Sequence, residues 1–196
     1  MQRRIVLASK SERRKMLLGQ IKLDFEIRES EYEEDMYAMS DPYELAKFLA
    51  LGKAQDVAKH YEDAIIIGAD TFVFSGGKFI GKPKDVMDAR RILTEFSGKT
   101  HEIVTGLAII DTKSKTIITD YDEAKVTFRK LSPEEIEDYI ATGEPMDKAG
   151  AYGLMHRGAV LIEKVEGDFY SVVGLPLNKL HLGLKKIGVD TLKIID

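Results

Sequence analysis

The chain has 196 residues, 44% of them hydrophobic and 32% charged, and its formal net charge is −4. This length suits one substantial hydrophobic core, so we predict a single domain over residues 1–196. The negative net charge argues against a general nucleic-acid-binding protein, and the absence of cysteine excludes disulfides, thiolate catalysis and cysteine-ligated metals.

Hydropathy gives no sign of a membrane or secreted protein. No long apolar run follows the two arginines in residues 1–5, and no apolar stretch approaches the roughly 20 residues that a bilayer-spanning helix needs. We therefore expect a cytoplasmic protein without a signal peptide.

The first half of the sequence predicts two buried strands and two helices. Short apolar runs at 4–8 and 64–68 are typical of buried strands. One helix is predicted over 12–18, and another begins at Asp41-Pro42, since proline is tolerated in a first turn. The apolar stripe of this second helix consists of Leu45, Phe48 and Leu49.

The second half predicts hairpins and further helices. Turn residues indicate hairpins over 72–80 and 101–129, and apolar periodicity indicates helices over 85–96 and 177–187. Residues 132–135 (SPEE) form a capping box for one more helix. Because strands and helices alternate irregularly, we predict an α/β fold with a partly antiparallel sheet.

Asp70 is the first candidate for catalysis. It closely follows the predicted strand at 64–68, so we expect it at the carboxyl end of that strand, where open α/β sheets bind ligands. A carboxylate there can accept a proton from water or hold a divalent cation. The alternative is a strand-ending turn that Asp70 forms and Thr71 caps.

Residues 9–14 (SKSERR) join the first strand to the first helix and combine hydroxyls with cations. The backbone N–H groups and the positive dipole end of a helix suit a phosphate, to which Ser9 and Ser11 would add donors. The forks of Arg13 and Arg14 can each hold two phosphate oxygens. The alternative is that Ser11 only caps the helix and both arginines are solvated.

Three lysines stand in unusual positions. Lys53 lies on the apolar stripe of the second helix, where it would either reach a buried anion or extend to water. Lys82 is held between a glycine and a proline, and its alternatives are a phosphate contact and plain solvation. Lys148 lies in the glycine-rich loop 144–153, which would either bind a ligand or form an Ω-loop held by its own side chains.

Other charged residues offer fewer candidates. The acidic run of Glu29, Glu31, Glu33 and Glu34 is expected to be mostly solvated, with at most one or two metal ligands. His101 stands alone among polar residues and is expected to make structural hydrogen bonds rather than to act in catalysis.

Five sequence blocks occur together and in order, and they resemble those of the Maf-like nucleotide pyrophosphatases over nearly the whole chain. The blocks are residues 7–14 (LASKSERR), 68–71 (GADT) with 81–83 (GKP), 97–106 (SGKTHEIVTG), 147–152 (DKAGAY) and 173–177 (VGLPL). The resemblance implies an α/β fold with a curved mixed β-sheet, flanking helices and two lobes around a nucleotide cleft, often dimeric.

The resemblance also implies an activity. Nucleoside triphosphates, with dTTP, UTP or modified pyrimidine nucleotides preferred, would be hydrolysed to the monophosphate and pyrophosphate with Mg²⁺ or Mn²⁺. Asp70 would be the proton acceptor, and Glu34 with Asp70 would hold the cation. The positions expected to bind substrate are Ser9, Arg13, Arg14, Lys53, Thr71, Lys82, Lys148 and Met155.

Two residues depart from the family pattern. Glu12 replaces a proline, which alters only the start of the helix. Met155 stands where the family has a glutamine that takes part in base selection. Because a thioether cannot offer the paired donor and acceptor of an amide, we expect a broader range of bases.

Two other functions fit the same sequence. One is a pyrophosphatase for deaminated purine nucleotides such as inosine triphosphate, and the other is a non-catalytic nucleotide-binding regulator of cell division. The intact Asp70, Lys82 and Lys148 favour an enzyme over a regulator.

Overall fold

The computed structural model describes residues 3–193, within which the chain forms six α-helices and seven β-strands. The helices are α1 (Glu12–Gln20), α2 (Pro42–Ala58), α3 (Val86–Phe96), α4 (Pro133–Ala141), α5 (Phe169–Val173) and α6 (Leu177–Lys186). The strands are β1 (Ile5–Leu7), β2 (Glu26–Ile27), β3 (Ile65–Ser75), β4 (Lys78–Ile80), β5 (Thr100–Asp111), β6 (Thr116–Phe128) and β7 (Ile162–Gly167). None of the helices in this part of the chain combines the length and apolar character needed to cross a bilayer.

The strands form one mixed sheet in the order β2-β1-β3-β5-β6-β7, with β4 paired to β3. β1 runs parallel to β2 and β3, whereas the β3–β4 and β6–β7 pairs are antiparallel. The predicted mixed α/β fold is thereby confirmed. The capping box is confirmed as well, because the Ser132 hydroxyl accepts the Glu135 N–H and the Glu135 carboxylate accepts the Ser132 N–H.

The chain divides into two compact units. One contains the described residues up to Asp70, Thr105–Asp122 and the described residues from Gly174 onward. The other contains Thr71–Val104 and Glu123–Val173. The long strands β3, β5 and β6 contribute residues to both units.

The expected position of Asp70 at the end of a strand is wrong. β3 continues without a break to Ser75 and turns at Gly76 and Gly77, so Asp70 lies within the strand. The strand continues because Phe72 and Val73 are also buried, which extends the apolar segment that the sequence suggested would end near residue 68. Asp70 nevertheless lies beyond the last β1 pairing of β3, which is Leu7 with Ile67.

The first unit is built on the close packing of α2 against the sheet. A Cβ atom at Gly68 would lie 2.4 Å from the Ala50 carbonyl oxygen, and one at Gly106 would lie 1.9 Å from the Ala46 carbonyl oxygen. Both positions therefore require glycine, because a side chain would collide with helix backbone. Phe48 does not belong to the buried stripe of α2, contrary to expectation, because it lies at the edge of the buried face and is 36% exposed.

The second unit has an aromatic cluster in its core. The His101 ring stacks on Phe96 with centroids 4.1 Å apart, and its Nε2 lies 2.7 Å from the Tyr152 hydroxyl. His101 is only 3% exposed, and burial lowers its pKa to about 4. This confirms a structural hydrogen bond for His101, as expected from the sequence.

The buried histidine predicts a loss of stability in mild acid. Below its unfolded pKa of about 6.5, the unfolded chain binds a proton that the native imidazole does not accept until about pH 4. We expect the free energy of unfolding to fall by about 3 kcal/mol as the pH is lowered from 7 to 4. Urea unfolding at a series of pH values measures this slope.

His101→Gln provides the control, because an amide does not titrate in this range. The slope should be largely absent in this variant. An equal slope in both proteins would assign the acid sensitivity to other groups.

Candidate active site

Ser9 and Arg14 form the polar junction between β1 and α1. The buried Ser9 hydroxyl oxygen accepts hydrogen bonds from the Ser11 backbone N–H at 3.2 Å and from Arg14 Nη1 at 3.1 Å. Arg14 Nε donates to the Gly174 carbonyl at 2.9 Å. Ser11 stands at the N-cap of α1, as the alternative interpretation expected, but its side chain makes no capping hydrogen bond.

Asp70, Lys53 and Glu34 form an ionic group. The Lys53 Nζ atom lies 2.5 Å from Asp70 Oδ1 and 2.6 Å from Glu34 Oε1. The side chains of Lys53 and Asp70 are 14% and 7% exposed, whereas that of Glu34 is 44% exposed. Of the two alternatives for Lys53, the structure shows that its side chain reaches a buried anion and does not extend to water. The Lys53 ammonium can contact Asp70 because α2 packs closely on the sheet.

Arg14 belongs to the same electrostatic environment. Burial lowers the pKa of its guanidinium, Asp70 and Glu34 oppose that shift by attraction, and the nearby charge of Arg13 adds to it by repulsion. This unit therefore gathers the cations of Arg13, Arg14 and Lys53 around two carboxylates. A partly desolvated cluster with excess positive charge suits a polyanionic ligand.

The carboxylates of Glu34 and Asp70 also fit a hard divalent cation. Mg²⁺ is commonly bound by one or two carboxylates together with substrate phosphates and water, rather than by a cage of protein ligands. Here two carboxylates converge on one point, which the Lys53 ammonium bridges. Among residues 3–193 no group of three or more acidic, histidine or cysteine ligands occurs, so substrate oxygens would have to complete the coordination.

The second unit carries Lys82, Lys148 and Met155. Lys148 Nζ is 2.9 Å from the Glu144 carbonyl oxygen and 2.6 Å from Asp147 Oδ1, and it is 13% exposed. Lys82 is exposed. The loops that carry Lys148 and Lys82 are joined by a hydrogen bond, which the Gly150 N–H donates to the Gly81 carbonyl oxygen at 2.9 Å. Both lysine-bearing loops are thus parts of one hydrogen-bonded structure.

Glu144 organises the chain around Met155, a role that the sequence did not reveal. Its carboxylate accepts hydrogen bonds from the Tyr139 hydroxyl and from the backbone N–H groups of Arg157 and Gly158, at 3.0–3.1 Å. Burial raises the pKa of Glu144, but these hydrogen bonds outweigh it and the net shift is downward. Met155 is half-buried at the start of the 3₁₀ segment His156–Leu161. No local pattern in residues 139–158 marks these partners, because the fold of the chain brings them together.

The structure thus brings together Ser9, Arg14, Lys53, Glu34 and Asp70, with Arg13 beside them, in one unit. Lys82, Lys148 and Met155 lie in the other, and Thr71, which follows Asp70 on β3, is half-buried. Gly174 lies in one of the five sequence blocks, but the sequence does not indicate that its carbonyl oxygen accepts a hydrogen bond from Arg14.

The fold belongs to a known class of mixed α/β structures. The Staphylococcus aureus Ham1 protein has a similar structure, with a TM-score of 0.53 and 13% sequence identity, covering 94% of this chain and 99% of that one. The sequence shows the family. Residues 4–187 match the model of the family described as Maf-like protein, so the chain belongs to this family.

Curated relatives match almost end to end. The chain is 48% identical over 193 residues to a dTTP/UTP pyrophosphatase of Dictyoglomus turgidum, covering 98% of this chain and 100% of the relative. It is 49% identical over 184 residues to a protein of the same name from Alkaliphilus metalliredigens, covering 93% and 95%. A third, from Bacillus cereus, is 47% identical over 188 residues, covering 96% and 97%.

Proposed function

We propose that this chain is a nucleoside triphosphate pyrophosphatase that hydrolyses dTTP and UTP to the monophosphate and pyrophosphate. The observation that carries the proposal is the Lys53 ammonium held between the carboxylates of Asp70 and Glu34, beside the half-buried Arg14. Full-length relatives named for this activity support the substrate class. We place the reaction in the cytoplasm, where the nucleotide pool is found.

In this proposal Asp70 acts on the attacking water. Its Oδ1 is oriented by Lys53, and the carboxylate aligns the water for in-line attack at the α-phosphorus and accepts its proton. Glu34 and Asp70 would hold Mg²⁺ or Mn²⁺, which when bound neutralises charge on the phosphates and the leaving pyrophosphate. Most of the rate gain comes from positioning and charge neutralisation.

The remaining candidates bind the substrate. Ser9 and Arg13, at the N-terminal end of α1, and Arg14 are proposed to donate to phosphate oxygens. Lys82 and Lys148 are proposed to add cationic contacts to the phosphates. Thr71 and Met155 are proposed to contact the nucleoside.

The reaction products test the proposal. With Mg²⁺ or Mn²⁺, UTP and dTTP should give UMP and dTMP with one pyrophosphate each, and EDTA should abolish turnover. Anion-exchange chromatography together with a coupled pyrophosphate assay measures this. Primary release of orthophosphate and a nucleoside diphosphate would contradict attack at the α-phosphorus. Full turnover in EDTA would show that the reaction needs no divalent cation. A marked preference for inosine triphosphate in the same panel would favour the purine pyrophosphatase instead.

Met155 sets the second expectation, which concerns base selection. A glutamine bonds a base edge through donor and acceptor, whereas a thioether offers only soft apolar contact, so polar discrimination should be weaker here. We expect Met155→Gln to narrow the range toward UTP and dTTP. The measurement is the ratio of kcat/KM values across UTP, dTTP, CTP and GTP. An unchanged set of ratios would mean that Met155 only packs in its loop.

A further inference from the structure

Two contacts hold the segment that carries Glu34 against α2. The first is the Tyr32 ring, which lies over Gly52. A Cβ atom placed on Gly52 would lie 2.4 Å from Tyr32 Cζ and 2.6 Å from each of its Cε atoms. The ring thus occupies the space of the missing side chain, which explains a glycine in the middle of a 17-residue helix, where this residue is otherwise unfavourable.

The second contact is made by Asp56, one helical turn further along α2. Its Oδ2 atom accepts hydrogen bonds from the Glu31 backbone N–H at 2.8 Å and from the Ser30 hydroxyl at 3.1 Å. The Ser30 hydroxyl oxygen in turn accepts the Tyr32 N–H at 3.1 Å. Positions 52 and 56 share one face of the helix because they are four residues apart.

These contacts stand directly beside the ionic group. Gly52 precedes Lys53 on α2, and Tyr32 is two residues from Glu34 in a segment that has no helix or strand of its own. The exposed Glu34 side chain reaches Lys53 Nζ at 2.6 Å. A long glutamate on an irregular segment would otherwise sample many positions, at an entropic cost to any ordered contact.

We propose that Tyr32 and Asp56 are positioning residues that hold Glu34 beside Lys53 and Asp70. Gly52 leaves the space that the Tyr32 ring occupies. The inference rests on the proposed function, since it assigns Glu34 to the reaction site. Partners of this outer kind commonly change metal affinity or activity 10–100-fold when removed. The Tyr32 ring matters here through its shape and not through its hydroxyl.

Matched pairs of variants test this. Tyr32→Ala removes the ring, whereas Tyr32→Phe keeps it. Gly52→Ala places a methyl group against the ring, whereas Gly19→Ala adds one in α1 with nothing within 4 Å. The readouts are kcat and KM for UTP, binding of Mn²⁺ alone followed by electron paramagnetic resonance, and hydrogen exchange at the Glu31 and Tyr32 amides.

Tyr32→Ala and Gly52→Ala should each lower kcat and weaken Mn²⁺ binding by about tenfold or more, with a smaller change in KM, and should speed exchange at both amides. Tyr32→Phe and Gly19→Ala should stay within about twofold of the wild type. If Tyr32→Ala does not fold, Asp56→Ala should show the same losses, because it removes the acceptor of the Ser30 hydroxyl and the Glu31 N–H and leaves a good helix-forming residue in α2.

Two results would overturn the inference: wild-type kcat and Mn²⁺ binding in Tyr32→Ala, or a loss in Tyr32→Phe as large as in Tyr32→Ala. A lower melting temperature with unchanged kcat, Mn²⁺ affinity and exchange would likewise reduce Tyr32 to a structural role. Failure of the proposed function is distinguishable, because then the wild type itself releases no pyrophosphate while amide exchange still reports on Tyr32 and Asp56.

Discussion

Asp70→Asn is expected to lower kcat by about 10²–10⁴, the usual effect of a positioned acid–base group. The amide keeps the shape of the side chain, but it cannot accept the proton of the attacking water, and it carries no charge to pair with Lys53. Steady-state hydrolysis of UTP with saturating Mg²⁺ measures the loss. Loss of a buried ionic partner also leaves Lys53 less stabilised, so the melting temperature must be recorded in parallel.

Asp111→Asn is the matched control for that experiment. Asp111 is another buried aspartate of the same unit, where Arg3 Nη2 donates to its Oδ1 at 2.7 Å and lowers its pKa to about 2. This control should lose stability near neutral pH and keep its kcat. If Asp70→Asn retains more than a tenth of the wild-type kcat, Asp70 is a structural residue of β3.

Gly106→Ala is expected to destabilise the protein by about 1–3 kcal/mol or more, the usual cost of forcing an extra carbon into a packed core. The added Cβ would lie 1.9 Å from the Ala46 carbonyl oxygen and 2.2 Å from its carbonyl carbon, and backbone of α2 cannot rotate away as a side chain can. The midpoint of urea unfolding measures the change. Because α2 also carries Lys53, activity should fall as the helix is displaced.

Gly19→Ala separates this collision from the general effect of replacing glycine by alanine. A Cβ atom added at position 19 of α1 would meet no atom within 4 Å outside its own helix backbone and chain neighbours, so alanine should be neutral or slightly stabilising there. A Gly106→Ala protein as stable as the Gly19→Ala protein would show that α2 can move outward at little cost.

The elements that were predicted correctly are those with strong local patterns. The hairpin over 72–80 and the capping box at Ser132 depend on residues a few positions apart, and the structure has both. Lys53 stands out in the sequence because a cation on an apolar stripe is unusual. Helix α5 (Phe169–Val173) was missed, because five residues are too few to show a helical period.

What the sequence could not show are the contacts between distant segments. The sequence around Asp70 is the same whether the strand ends at the apolar run or continues past it. Only the pairing with β4 shows that β3 continues and that Asp70 lies within it. The partners of Glu144 lie up to 14 residues away, and Asp56 binds a segment 25–26 residues before it. Gly68 and Gly106 lie in sequence blocks and α2 is predicted, but the sequence does not show that α2 packs closely enough on the sheet to require glycine at both positions.

Hydrolysis in ¹⁸O-enriched water tests the central claim most directly, since it shows which phosphorus the water attacks. With UTP or dTTP and Mg²⁺, the account predicts a single ¹⁸O atom in the nucleoside monophosphate and none in the pyrophosphate, as read by mass spectrometry after one turnover. Label in the pyrophosphate with an unlabelled monophosphate would place the attack at the β-phosphorus and contradict the role given to Asp70.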